Sequence, residues 1–245
     1  MHIIKLSAID STNSYLKKLA VEELPNNFTV VAADHQISGR GQIGNVWESE
    51  RGKNLTFSVL MCFSKLKIID QFYLSMAVAL AILNVAKTYV KNKLFVKWPN
   101  DIMAEKNKLA GILIENVLSG QHIKYAIVGV GLNVNQEEFS AINKNAISLK
   151  NMAGAYIDKD NLLAEVVKSL KKYVSYVENN DFQFLKEKYI DSLFKYNTPA
   201  MFEDVEGVQF LGKIIDISAD GRLVVALENE KTRKFNLKEI KFASL

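Results

Sequence analysis

The sequence predicts an α+β fold: a mixed, mostly antiparallel sheet with flanking helices, followed by a small C-terminal β barrel. Three observations carry that expectation. Two long apolar segments, "KLAGILIENV" (108–117) and "YAIVGVGLNVN" (125–135), are joined by the short stretch "LSGQHI", which suits a hairpin and so an antiparallel pair. Strong helical patterns are few: one long stretch at 70–92 and two near 159–178 and 181–195. Past Pro199 the texture changes to short alternating strands.

The elements follow in order. In "STNSYLKKLAVEEL", Ser11 or Thr12 is placed to cap a short helix with Tyr15, Leu16 and Leu19 on one face, and Pro25 follows it. "FTVVAAD" (28–34) and "NLTFSVLMCF" (54–63) have the β-branched and aromatic content of strands. "DQFYLSMAVALAILNVAKTYVKN" (70–92) is a long, alanine-rich helix opened by Asp70. "KLFVKW" (93–98) is a strand stopped by Pro99, whose ring removes a backbone donor. Two helices near 159–178 and 181–195 come after the hairpin. In the C-terminal stretch, Asp220-Gly221 and Asn229-Glu230 suit turns between strands. A barrel of about 45 residues is marginal alone, so it is expected to dock on the rest. The expected division is 1–197 and 198–245.

Composition narrows the classes. A chain of 245 residues with 49% hydrophobic content can bury about 70–75% of its unfolded surface and needs no staples. Its one cysteine, Cys62, lies in "FSVLMCF" and reads as a buried free thiol in a reducing compartment. A net charge of +4 admits phosphate-bearing partners without demanding nucleic acid. "MHIIKLSAIDSTN" lacks the basic flank and apolar run of a signal peptide. The apolar stretch at 76–86 reads as too short and too polar-flanked to span a bilayer. A cytoplasmic location with no membrane partner is the expectation.

"SGRGQIGNVWESERGKN" (38–54) carries glycines spaced G-x-G-x-x-G. A dinucleotide fold needs such a loop to open a helix, with an acidic residue about 20 positions on. Here the chain re-enters a strand and no carboxylate stands near position 60. A kinase needs V-A-I-K, H-R-D and D-F-G elements, and none is present. What remains is shared by all such loops: glycines let backbone amides approach an anion. Arg40 offers a forked donor array, and Trp47 a flat face for a base or an apolar chain.

Two further stretches lie at strand ends, where rigid scaffolds hold reactive groups. In "FVKWPND" (95–101), Asn100 and Asp101 follow Pro99; the pair suits a turn, and Asp101 is also placed to ligate Mg²⁺ or accept a proton. In "NKLAGILIEN" (107–116), Lys108 opens a strand with Gly111 three residues on, and glycine in a strand often marks close approach by a ligand. Asn133 ends the buried strand "VGVGLNVN", where its amide needs a partner. No Cys/His metal cluster is present, and Ser11, Ser14, Ser38 and Ser49 show no His/Asp triad around them.

The ordered set STN (11–13), Q-x-x-G-R-G-x-x-G-x-x-W (36–47), K-W-P-N-D (97–101), K-L-A-G-I-L-x-E (108–115) and G-x-G-L-N (129–133) resembles the biotin protein ligases, and the resemblance covers nearly the whole chain. It implies the fold shared by biotin and lipoate ligases and similar to class II aminoacyl-tRNA synthetases, with an SH3-like C-terminal barrel. It implies biotin and ATP as substrates with Mg²⁺, formation of biotinyl-5′-AMP, and transfer to a lysine of a biotin carboxyl carrier protein. By family position Ser11, Thr12, Asn13, Gln36, Gly39, Arg40, Lys108 and Gly111 would serve biotin. Gly39, Arg40, Gly41, Gln42, Trp47, Asn100, Asp101, Lys108 and Asn133 would serve ATP and the adenylate. Lys108, Arg40 and Asp101 would be catalytic, with Asp101 toward Mg²⁺ as well. Bifunctional members carry a DNA-binding unit ahead of the catalytic motifs; this chain starts at those motifs, so no DNA partner is implied, and members occur as monomers or homodimers.

One departure stands out. Many members carry arginine at the position of Gln42 or Ile43, and this chain has neither. Two rival readings are a lipoate or octanoate ligase, which lacks the K-W-P-N-D run, and a non-catalytic biotin or adenylate sensor, against which Arg40 and Lys108 argue.

Overall fold

The computed structural model describes residues 2–42, 44–140, 143–228 and 231–243. Seven strands form one sheet in the order β1-β2-β3-β7-β6-β5-β4. They are β1 (Ile3–Leu6), β2 (Val30–Ala33), β3 (Leu55–Cys62), β4 (Leu94–Lys97), β5 (Asp101–Ala104), β6 (Asn107–Ser119) and β7 (His122–Leu132). Only β1 and β2 run parallel, and every other pairing in the sheet is antiparallel. The expected 108–135 hairpin is β6–β7, turned at Gly120, which has a φ of 58°.

The helices are α1 (Thr12–Glu22), α2 (Gln71–Tyr89), α3 (Leu149–Ala153), α4 (Lys159–Glu178) and α5 (Phe182–Asp191). Ser11 is the N-cap of α1, but its side chain makes no capping bond. Gln36 does that work from outside the helix: its Oε1 accepts from Thr12 N at 2.8 Å. Asp70 likewise precedes α2 without a side-chain cap, and a short 3₁₀ turn leads in instead. Over Ile68–Tyr89 the chain is long and apolar enough to cross a bilayer by length and composition, contrary to the sequence expectation. Burial decides its place: Leu74 and every residue from Met76 to Leu83 are buried against the sheet, α4 and α5.

The sheet has two different faces, set by the period of two. On β3, Phe57, Val59 and Met61 point into the main core with α2 and α4, while Leu60 joins Leu16 and Ala20 of α1 on the other side. Toward one end of that second face the apolar residues give way to Thr56 and Ser58 on β3, and to Gly129 and Gly131 on β7. The site is built there. Cys62 ends β3 only half-buried, which corrects the expectation of a buried thiol; burial still pushes its pKa up.

The C-terminal sheet comprises β8 (Pro199–Asp204), β9 (Gln209–Ile217), β10 (Leu223–Leu227), β11 (Thr232–Phe235) and β12 (Ile240–Phe242), all antiparallel in the order β11-β10-β9-β8-β12. The Asp220-Gly221 turn joins β9 to β10, with Gly221 at a φ of 86°. Asn229-Glu230 lies outside the described residues. The sheet shares one continuous core with α2 and the large sheet, through Phe202, Ile217, Leu223 and Val225. Gly221 is pressed on the ring of Phe72, and its carbonyl accepts from Trp98 Nε1 at 2.9 Å. A side chain at Gly221 would meet that ring, so glycine here serves both the turn and the docking.

Candidate active site

One cavity on the second face is bounded by α1, the glycine loop, the β4–β5 turn and the strands β3, β6 and β7. Of the residues singled out in the sequence, Ser11, Thr12, Asn13, Gln36, Arg40, Gly41, Gln42, Trp47, Asn100, Asp101, Lys108 and Gly111 line it. Residues as far apart in the chain as Asn13 and Glu115 meet here because α1 packs on β3 and β7, where Gly129 has no side chain and lets Asn13 reach β6.

Two expected residues are not on the wall. Gly39 is buried at the base of the loop, where Trp47 N donates to its carbonyl at 2.9 Å and a Cβ would overlap the Trp47 carbonyl. Its lack of a side chain lets the loop fold on itself, not on a ligand. Asn133 is buried behind β6, where its amide nitrogen donates to the carbonyls of Lys108 at 3.3 Å and Ile147 at 3.2 Å. It braces the strand that presents Lys108. Ile43 lies outside the described residues.

At one end of the cavity the groups are neutral and polar. Gln36 Oε1 accepts from Thr12 N and, at 3.0 Å, from Thr12 Oγ1. Ser58 Oγ lies 2.7 Å from Thr12 Oγ1 and 2.5 Å from Asn13 Oδ1. Asn13 rests on Gly129, where any Cβ would collide with its amide. Ser11, Thr12, Asn13 and Ser58 are all nearly inaccessible, so their order is fixed before any ligand arrives.

The other end is charged. Lys108 Nζ meets Asp101 Oδ1 at 2.6 Å, with the lysine 37% and the aspartate 22% exposed. Asp101 opens β5, a strand the sequence reading missed: K-W-P-N-D is the tight turn of a β4–β5 hairpin that pairs Lys97 with Asp101. A β-bulge between Ile102 and Met103 then sets Asp101 opposite Gly111 and Met103 opposite Lys108. Asn100 is bound on both sides to Ile112 of β6, by backbone at 3.0 Å and by its amide at 2.7 Å.

Trp47 forms the middle of the cavity. Its ring covers Gly131 and Gly111, where a Cβ at Gly131 would overlap the indole. Lys108 Nζ stands 5.8 Å from the ring centroid. Trp47 Nε1 and Thr56 Oγ1 are buried without a hydrogen-bond partner in the protein, and both residues line the cavity.

Ser58 and Thr56 are site residues that the sequence reading did not single out, and Gly129 and Gly131 entered it only as letters of G-x-G-L-N, without a role. Their signal was present in the strand alternation, where small and polar residues interrupt apolar runs on one face. Glu115, the last letter of K-L-A-G-I-L-x-E, was also passed over; it holds Arg40 Nη2 at 2.9 Å.

The profile of the Biotin/lipoate A/B protein ligase family matches residues 6–133, a span that contains α1, the glycine loop, the β4–β5 turn and β6–β7. The chain belongs to this family. As a biotin/lipoate ligase family member it is an enzyme. It is 27% identical over 236 residues to the bifunctional ligase/repressor of Bacillus subtilis, covering 95% of this chain and 71% of that protein. It is 28% identical over 216 residues to the biotin–[acetyl-CoA-carboxylase] ligase of Mycobacterium tuberculosis, covering 87% and 79%. A solved structure of the biotin protein ligase from Aquifex aeolicus, in complex with biotin and ATP, superposes with a TM-score of 0.81 at 25% identity over 99% of both chains. The fold of this ligase is therefore that of the biotin protein ligases, with the C-terminal sheet included.

Proposed function

We propose that this ligase activates biotin with ATP to biotinyl-5′-adenylate and transfers biotin to a lysine of a biotin carboxyl carrier protein. The observation that carries the reading is the graded cavity. A neutral hydrogen-bonding end at Thr12, Ser58 and Gln36 suits a cyclic urea. The indole of Trp47 suits an aliphatic chain, and the Lys108–Asp101 end suits a carboxylate meeting a phosphate. The similarity to a ligase solved with biotin and ATP supports it.

In the first step a biotin carboxylate oxygen attacks the α-phosphorus, the bond to the β-phosphate oxygen breaks, and pyrophosphate leaves. Lys108, held by Asp101, would meet the negative charge that builds on the α-phosphate once the loop excludes water. Arg40 reaches the same region from the loop, oriented by Glu115. In the second step the neutral amine of the carrier lysine attacks the carbonyl of the mixed anhydride, AMP leaves, and Asp101 accepts the amine proton. The loop of 38–47 covers the intermediate and keeps water from it.

Mg²⁺ is commonly held through one or two carboxylates together with substrate phosphates. The cavity wall offers one carboxylate, Asp101, and no group of three or more metal-ligating side chains occurs among the described residues. That set suits an ion that enters with the triphosphate, where Asp101 would hold it and its charge would offset that of the phosphates. The assignment of residues 1–197 as the catalytic unit and 198–245 as an accessory unit rests on the two sheets.

The test is biotin-dependent exchange of labelled pyrophosphate into ATP, with lipoate and octanoate run in parallel. Exchange with biotin alone is expected. Exchange with lipoate or octanoate instead, or tight biotin binding with no exchange, would overturn the proposal.

A further inference from the structure

Glu115 stands in an unusual place for a site that handles anions. Its carboxylate lies beside the cavity, only 24% exposed, at the end of a line of polar contacts that starts at Gln36. That line runs from Gln36 through Thr12, Ser58 and Asn13 to Glu115, and then to Arg40. Glu115 Oε2 accepts from the buried amide of Asn13 at 2.8 Å and from Arg40 Nη2 at 2.9 Å, and Oε1 lies 3.5 Å from Arg40 Nη1. An acid here opposes anion binding unless its charge serves position. Lys108 is neutralised in the same way by Asp101, so each cation of the site has its own carboxylate.

We infer that Glu115 is a positioning residue that couples the biotin end of the cavity to closure of the glycine loop, by holding Asn13 and Arg40 on one carboxylate. The inference rests on the biotin-adenylating reading above. An exposed ion pair alone is weak, and Arg40 is 44% exposed. Three features strengthen this one: the guanidinium fork faces both carboxylate oxygens, the acid is largely shielded, and a buried amide fixes it from the other side. The backbone of Arg40 bridges Val46 across the loop, so its side-chain pair with Glu115 joins that bridged part of the loop to β6. With Gln42 bringing no charge, the Arg40–Glu115 pair is the ionic tie between this loop and β6 among the described residues. Asn13 is buried and rests on Gly129, so a ligand bound at Thr12 tightens a network already set, and Glu115 passes that restraint on to Arg40. Biotin occupancy and loop closure are then linked through one side chain.

The experiment uses Glu115→Gln, Arg40→Ala and the double variant in the full chain. Three quantities are measured: the biotin Kd, the rate of adenylate release without acceptor, and the melting temperature. Glu115→Gln is expected to weaken biotin binding and to speed release, each about 5–10-fold, and to lower adenylate formation less than Arg40→Ala does. In the double variant, release should be no faster than in Arg40→Ala, because both substitutions break one tie. An unchanged release rate in Glu115→Gln, or effects that multiply in the double variant, overturns the inference. So does a fall in melting temperature with biotin Kd and release both unchanged, which marks a purely structural role. Should Gln at 115 unfold the chain, Arg40→Lys carries the test from the exposed side of the pair: it keeps the charge, loses the fork, and must also speed release. Absence of adenylate from the wild type would instead refute the functional reading, so the two failures are separable.

Discussion

In the proposed reaction, replacing Lys108 by alanine removes a cation placed to meet the reacting phosphate. A unit charge about 4 Å from the phosphate, at an effective dielectric of about 20, is worth about 4 kcal/mol. Two features of the structure reduce that figure. The lysine is 37% exposed, and Asp101 already takes part of its charge at 2.6 Å. A net loss of about 3 kcal/mol remains, a little over a hundredfold in rate, which falls within the range for losing one fixed transition-state donor, about 10²–10³. The assay is pyrophosphate exchange at saturating biotin and ATP, with biotin Kd measured separately. Biotin Kd should rise far less than the rate falls, because the Thr12–Gln36 end stays intact and only the carboxylate contact is lost. Removal of Lys108 also leaves Asp101 unpaired and facing the phosphates. A fall in exchange of less than tenfold would refute the role given to Lys108.

Other predictions follow from single contacts. Gln42→Arg should slow adenylate release, because a cation is added where the loop has only an amide; equal release rates for the two proteins would sink the idea. Gly131→Ala should displace the Trp47 ring, costing about 1–3 kcal/mol of stability and lowering the rate of exchange; unchanged exchange would show that the ring is not part of the site. Tyr189 is fully buried on α5 with its hydroxyl unpartnered, and burial, with Asp101 second, pushes its pKa well up. Tyr189→Phe should thus leave the melting temperature unchanged or raise it; a clear drop would reveal a hydrogen bond to that hydroxyl.

Much of the fold is legible in the residues. The β6–β7 hairpin, α2 and the switch to short strands after Pro199 have long or repeated local patterns, and each appears where the period places it. β1, β5 and α3 were missed, and all three are short. Four residues such as "IIKL" or "DIMA" carry too little periodicity to stand against a turn signal, and Pro99 outweighed the strand that follows it. The end of α5 came early for a similar reason: Val96 N bonds Ser192 O at 2.8 Å, and this long-range pairing pulls the chain out of a helix that local propensity would continue.

The site divides along the same line. Residue type and order alone singled out Arg40, Lys108, Asp101 and Gln36 as candidates for one site, because they lie in short motifs, and the four line one cavity. Only the tertiary structure decided their working partners. Asp101 neutralises Lys108, Glu115 holds Arg40, Gln36 caps α1, and Asn133 turns away from the cavity to brace β6. Each of those pairings joins residues 7 to 75 positions apart. Their choice depends on which face of a strand a side chain occupies, and that is settled by a register set through the bulge at Ile102 and by the glycines on which Trp47 and Asn13 rest.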